Sequence, residues 1–326
     1  MESELIDWLR ERTGGHDSLA LGIGDDGAIL RWGDDANLVV AADLLAEGTH
    51  FRLEPLGPRR VGRKALAVNL SDVAAMAARP VAATVSLLLP RQGAERLARE
   101  LFEGLLPLAA EFDVAIAGGD TNTWDGPLAI DVVVLGRLTP AGPLLRSAAK
   151  TGDRILITGQ LGGSILGRHA DFQPRVNEAI RLRTEFDVRA GMDVSDGLAL
   201  DLSRMLAASG VGGALDVDRV PIHADARQLA QQQPDGGDEL THALSDGEDF
   251  ELLLTAPPDV AERLITEQPL DVPLTDIGEI VAAPGLFQRE GGGALRPLES
   301  LGYVHRAEGG VHHAEGRVHH DEGDRR

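Results

Sequence analysis

The chain has 326 residues, of which 43% are hydrophobic, 25% charged and only 3% aromatic, enough for two soluble domains with mainly aliphatic cores. It has no cysteine, which excludes disulfides, thiolate metal sites and a cysteine nucleophile. Its 52 acidic and 31 basic residues give a net charge of −21, which disfavours nucleic acid as a partner but leaves nucleotides open, since Mg2+ can bridge carboxylate to phosphate.

Met1-Glu2-Ser3-Glu4 lacks the basic start and apolar centre of a signal peptide, and no apolar run reaches membrane-spanning length. The expected location is the cytoplasm, with no membrane partner. Residues 5–12 read as a short helix. Gly24-Asp25-Asp26-Gly27 then brings two carboxylates into a tight, glycine-flanked turn. Residues 38–42 are expected to form a strand closed by Asp43, followed by a loop with His50. Residues 59–78 read as one long helix of Ala, Val and Leu, in which Asn69 and Asp72, three apart, share a face. A carboxylate in so apolar a helix is costly unless paired or bound to metal.

A strand over 81–89, a helix over 93–111 and a strand over 114–117 lead into Gly118-Gly119-Asp120. Glycines there let backbone N–H groups approach a phosphate, and Asp120 can hold its metal. A strand over 128–138 closes the first half. Residues 139–153, with their prolines and glycines and with Arg146 and Lys150, form the expected boundary.

In the second half, strands are expected over 154–158, 213–217, 250–255 and 274–281. Helices are expected over 175–185, 198–208, 225–233 and 258–266, with a short one opening after Gly159. Asp193-Val194-Ser195-Asp196-Gly197 reads as a strand end turning into a helix, with Asp193 and Ser195 on one face and Asp196 as the helix cap. Alone, this is an ordinary capped turn. Its recurrence at residues 24–27, 42–43, 69–72, 118–120 and 245–249 points instead to one site that gathers carboxylates. The alternation of elements implies two α/β or α+β domains, over residues 1–140 and 141–303. Residues 304–326 carry three copies of a seven-residue, glycine- and histidine-containing unit, which reads as disordered low complexity.

Seven segments, in order, carry a resemblance: Gly22–Leu30, Asp43–Phe51, Lys64–Met76, Gly118–Thr121, Arg146–Asp153, Asp193–Leu198 and Gly247–Leu252. Together they are similar to the thiamine-monophosphate kinase family, within a superfamily that includes aminoimidazole ribonucleotide synthetase. The resemblance implies a two-domain α/β (α+β) fold. Its N-terminal domain pairs in a homodimer to build a shared β-barrel, and its C-terminal domain is α/β. It also implies transfer of the ATP γ-phosphoryl group to thiamine monophosphate, giving thiamine diphosphate. By the same resemblance Asp26, Asp43, Asp72, Asp120, Asp193 and Asp196 hold several Mg2+ ions. Gly119, Asp120, Arg146 and Ser195 contact ATP, while His50, Glu248 and Tyr303 contact the acceptor. Asp25 and Asn69 support them, and no residue is assigned as acid or base. An ionised acceptor phosphate needs positioning and charge neutralisation rather than a strong base.

Three departures stand out. Ala41 and Ala42 replace the hydroxyl residues usual before Asp43, Asp246 replaces a glycine and adds charge and strain beside the acceptor site, and the tail has no counterpart. The alternatives are another synthetase of the superfamily and a non-catalytic nucleotide or thiamine-phosphate binder. ADP release with thiamine monophosphate separates them.

Overall fold

The computed structural model describes residues 2–13, 16–32 and 36–303; the repeat tail lies outside the described residues. The first half runs α1 (Glu2–Thr13), β1 (Leu19–Leu21), β2 (Ala28–Trp32), β3 (Ala36–Ala46), α2 (Leu53–Leu56), α3 (Pro58–Ala75), β4 (Ala78–Pro90), α4 (Ala94–Glu111), β5 (Ala115–Gly118), β6 (Thr121–Trp124) and β7 (Ala129–Leu138). The second runs β8 (Arg154–Thr158), α5 (Arg168–Asp171), α6 (Val176–Glu185), β9 (Gly191–Asp193), α7 (Leu198–Ser209), β10 (Gly212–Leu215), α8 (Ala224–Gln232), α9 (Glu239–Ser245), β11 (Leu252–Ala256), α10 (Pro258–Glu267), β12 (Leu274–Val281), β13 (Gly285–Arg289) and β14 (Leu295–Pro297).

Each half builds one mixed sheet. The first has the order β1-β2-β3-β7-β4-β5, with β6 pairing the far end of β4; the second has the order β14-β13-β10-β12-β8-β11-β9. In the first, β4 runs parallel to β5 and β6 and antiparallel to β7. Within one chain this sheet is open.

The helix α3 is the spine of the molecule. It starts where the sequence says it should, with Gly57 at φ 79° and Pro58 in the first turn. It stops at Ala75, short of the expected 78, because Ala77 turns to φ 51° and the chain reverses into β4. One side covers β3 and β7, and other sides meet α4, α5, α6 and β9, so a single core runs from Val39 and Leu66 to Leu156 and Leu254. A second core, under α7 and α9, fills the opposite face of the second sheet.

The helices α3 and α4 touch backbone to backbone. A Cβ on Gly62 would lie 2.0 Å from the Leu101 carbonyl oxygen, and one on Gly104 would lie 1.8 Å from that of Arg59. Neither oxygen belongs to a flexible side chain that could swing away. Gly62→Ala is therefore expected to force the helices apart, destabilising the protein by about 2–3 kcal/mol. Thermal unfolding checks this; an unchanged melting temperature would contradict the packing.

Two local expectations need correction. Asp43 does not close its strand, since β3 runs on to Ala46 in register with β7. Asp193 and Ser195 do not share a strand face, because β9 ends at Asp193 and Ser195 lies in the turn.

Candidate active site

Three carboxylates converge from three separate segments. Asp26 comes from the β1–β2 turn, Asp72 from the last turn of α3 and Asp193 from the end of β9. One oxygen of each lies within 4.8 Å of the others. Asp193 is 2% exposed and accepts a hydrogen bond from Ser71 Oγ. Strand alternation turns Asp43 toward α3, where it meets Asp72. The site thus draws on both sheets, and α3 brings the two groups of carboxylates together.

The electrostatics are those of a cation deficit. Burial pushes Asp72 and Asp193 well above the ordinary carboxylate value, and neighbouring aspartates add to the effect: Asp43, Asp193 and Asp26 around Asp72, and Asp26 beside Asp193. Asp43 is raised to about 6 by burial and by Asp196, although a hydrogen bond with Asp72 opposes this. Asp72 also sits at a helix C-terminus, where the macrodipole disfavours an anion. Against these stands Arg146, which grips Asp26 with two bonds, Nη2 to Oδ1 at 2.6 Å and Nε to Oδ2 at 3.2 Å. Its backbone N–H also donates to Asp25 at 3.2 Å. A cluster of hard oxygen donors that repel one another fits Mg2+.

The turn after β9 is organised by a residue the sequence reading missed. Asp196 does not cap α7; that position is Gly197, with no side-chain cap. Instead the fully buried Asp201 reaches back, and its Oδ2 accepts from the N–H groups of Ser195, Asp196 and Gly197 at 3.1, 2.8 and 3.1 Å. Arg204 bridges Asp196 and Asp201. The position of Asp201, in the first turn of a helix after a glycine corner, was the available signal.

Beside this turn, residues 248–250 pair back onto 194–195. Glu248 N–H donates to the Ser195 carbonyl at 2.7 Å and Phe250 N–H to that of Val194 at 2.8 Å. Glu248 pays for this position with φ 52°, a conformation unusual for a non-glycine residue. The strain expected at Asp246 is not there: its backbone is right-handed helical. Its charge is taken up by His242 Nδ1 at 2.9 Å and by the Gly163 N–H. Tyr303 is anchored through its N–H to the Asp196 carbonyl at 2.9 Å. His50 packs on its own loop, its Nδ1 accepting from the Ala46 N–H at 3.0 Å.

Not every candidate residue joins the cluster of three. Asp120 is exposed, with its Oδ1 capped by the Thr121 N–H at 2.9 Å. Gly119, at φ 153°, runs so close to β4 that a Cβ would lie 1.8 Å from the Val85 carbonyl oxygen. Asn69 lies buried behind the site, donating to the Ala65 carbonyl. Ala42 is exposed on the sheet's outer face, so a hydroxyl on it would point away from Asp43; Ala41 is buried on the Asp43 face. Immediately after Asp120, β6 and α4 enclose a groove of about 600 Å3 lined by Leu89, Ala98, Phe102, Leu106, Thr121 and Thr123. Sequence reasoning gave Phe102 only a place on a helix, because a single aromatic at helical spacing looks like core.

The chain matches two family models, "AIR synthase related protein, N-terminal domain" over residues 24–138 and "AIR synthase related protein, C-terminal domain" over residues 150–288. It is 42% identical over 312 residues to the thiamine-monophosphate kinase of Rhodopirellula baltica, covering 94% of this chain and 97% of that one. The fold is similar to the crystal structure of thiamine-monophosphate kinase from Stenotrophomonas maltophilia, with a TM-score of 0.69 and 37% identity over 87% of this chain and 95% of that one. It is also similar to AaThiL complexed with AMPPCP and TMP, with a TM-score of 0.77 and 26% identity over 88% of this chain and 93% of that one.

Proposed function

The chain belongs to the thiamine-monophosphate kinase family, and from that premise we propose how its residues pass the γ-phosphoryl group of ATP to thiamine monophosphate to give thiamine diphosphate. The observation that carries the reading is the convergence of Asp26, Asp72 and Asp193 within 4.8 Å. These three, with Asp43, Asp120 and Asp196, would hold Mg2+. Bound there, Mg2+ supplies charge neutralisation for two phosphate groups that otherwise repel.

The nucleotide base occupies the groove beside α4, against Phe102. Its phosphates then pass Gly119 and Asp120 toward Ser195 and Arg146. Arg146 exchanges Asp26 for phosphate oxygens, a change of partner its planar fork suits. The acceptor lies against His50, Glu248 and Tyr303. Its phosphate oxygen attacks in line and is already ionised near neutral pH, so the protein holds and orients it and removes no proton.

Phe102→Ala is expected to raise the KM for ATP about tenfold and leave that for thiamine monophosphate within about twofold, since stacking on a base is worth roughly 1–3 kcal/mol. Steady-state kinetics with each substrate varied checks the groove. The whole reading is tested by ADP release and thiamine diphosphate formation, with and without EDTA. Binding of both ligands without ADP would support the non-catalytic alternative.

We place the domain limits at 1–140 and 141–303, a division supported by one sheet lying in each range. A homodimer sharing a β-barrel is supported by the outer face of the first sheet, where Leu44 is 61% and Leu135 36% exposed beside Val40, Ala42 and Val133. Light scattering after gel filtration tests it. No helix among the described residues is long and apolar enough to cross a membrane.

A further inference from the structure

The side chain of Lys64 is 0% exposed, in the middle of α3. Three polar atoms surround its ammonium group: the His50 carbonyl oxygen at 2.6 Å, Glu248 Oε1 at 2.6 Å and His169 Nδ1 at 2.9 Å. The two oxygens accept from the ammonium, while His169 Nδ1 is shared between Lys64 and Glu248, its role set by the tautomer. Lys64 therefore has no surface on which to meet a ligand. His169, 4% exposed on α5, also lies 3.1 Å from Glu248 Oε2.

The geometry is that of a pin through both halves of the molecule. Lys64 comes from the first half, and Glu248 and His169 from the second. The same ammonium holds the loop that carries His50. Glu248 needs such a hold, because its backbone sits at φ 52° and its side chain remains 29% exposed. Burial would push the Glu248 carboxyl up, but His169 and Lys64 hold it below its usual value, so the pinned group stays an anion.

We propose that Lys64, assisted by His169, is a positioning residue that fixes Glu248 and the His50 loop together and so sets the geometry of the acceptor subsite. The proposal rests on the reading above that His50 and Glu248 face thiamine monophosphate. It predicts an effect on one substrate only. Lys64 lies behind the acceptor contacts, whereas the base groove lies beyond α4.

The test compares Lys64→Met, His169→Asn, Glu248→Gln and the double variant K64M/E248Q. Each is assayed with thiamine monophosphate varied at saturating ATP and then the reverse. K64M is expected to raise the KM for thiamine monophosphate about tenfold or more, and H169N about threefold, with the KM for ATP within about twofold throughout. Because Lys64 acts through Glu248, K64M/E248Q should be little worse than the poorer single variant. A general packing defect would instead move both KM values. A folded K64M whose KM for thiamine monophosphate stays within about twofold of wild type, while E248Q raises it, overturns the pin and leaves the acceptor site standing. If E248Q also leaves that KM unchanged, the acceptor reading fails and the pin with it. Should K64M not fold, H169N decides on the same terms, and an unchanged KM for thiamine monophosphate overturns the proposal.

Discussion

Asp193→Asn is expected to lower kcat by about 100- to 1,000-fold or more, the scale of removing one charged group from a site of charge stabilisation. It should not unfold the protein. Asp193 is 2% exposed, and both burial and Asp26 push its carboxyl up, so in the metal-free state its charge is a cost. An asparagine keeps the oxygen that accepts from Ser71 and removes that cost. The metal-free variant should therefore melt at the same temperature as wild type or higher, while turnover collapses. Asp72→Asn should behave alike, because it carries the same burden from Asp43, Asp193 and the helix end. Turnover with saturating Mg2+ and thermal unfolding in EDTA give the two readouts. Near-normal turnover in either variant would remove that residue from the metal site.

The second large effect is a linkage between pH, Mg2+ and stability. Asp72 and Asp193 lie well above 3.8 in the fold, and Asp43 at about 6. Between the unfolded value and these folded values the native state holds more protons than the unfolded chain. Stability must then fall as pH rises through the folded values. Glu248, held below its usual value, works in the opposite sense, but only under acidic conditions. EDTA-treated protein should thus melt lower at pH 8 than at pH 6. Mg2+ competes with protons for the same oxygens and should restore more at pH 8. At about 100 times its Kd it would add roughly 2.7 kcal/mol. A slope should survive in Mg2+ from Asp249, away from the cluster, which burial raises to about 7 against the pull of Arg168. Melting curves at both pH values, with EDTA and with Mg2+, check this. An equal Mg2+ increment at pH 6 and pH 8 would contradict a site built on raised carboxylates.

The carboxylates that converge were legible in the sequence because their chemistry is unusual against its surroundings. Asp72 in a run of alanine, valine and leucine advertises a cost that something must offset. The repeated glycine–aspartate corners can be counted without a structure. Lys64 carried no such signal, since it follows Arg59, Arg60 and Arg63 at the basic start of the helix, and its partners His169 and Glu248 lie 105 and 184 residues away. The cap of α7 was misassigned because a carboxylate before a glycine looks local, whereas Asp201 serves the turn from inside the helix. Short strands such as β1, β6 and β14 were missed because three or four residues carry too little periodicity to read.

The sequence by itself determined the inventory: an aliphatic, cysteine-free chain with two runs of alternating strands and helices, and carboxylates placed at chain corners. It also carried the family, through motifs whose order matters more than any one of them. Only the tertiary structure decided which carboxylates share a site, since Asp26, Asp72 and Asp193 meet only after α3 has packed against both sheets. It also left Asp120 outside the cluster of three, opened a groove beside Phe102 and enclosed Lys64. The physical reason is that a residue's chemistry is local, whereas its burial, charge neighbours and hydrogen-bond partners depend on segments that only packing brings within a few ångströms.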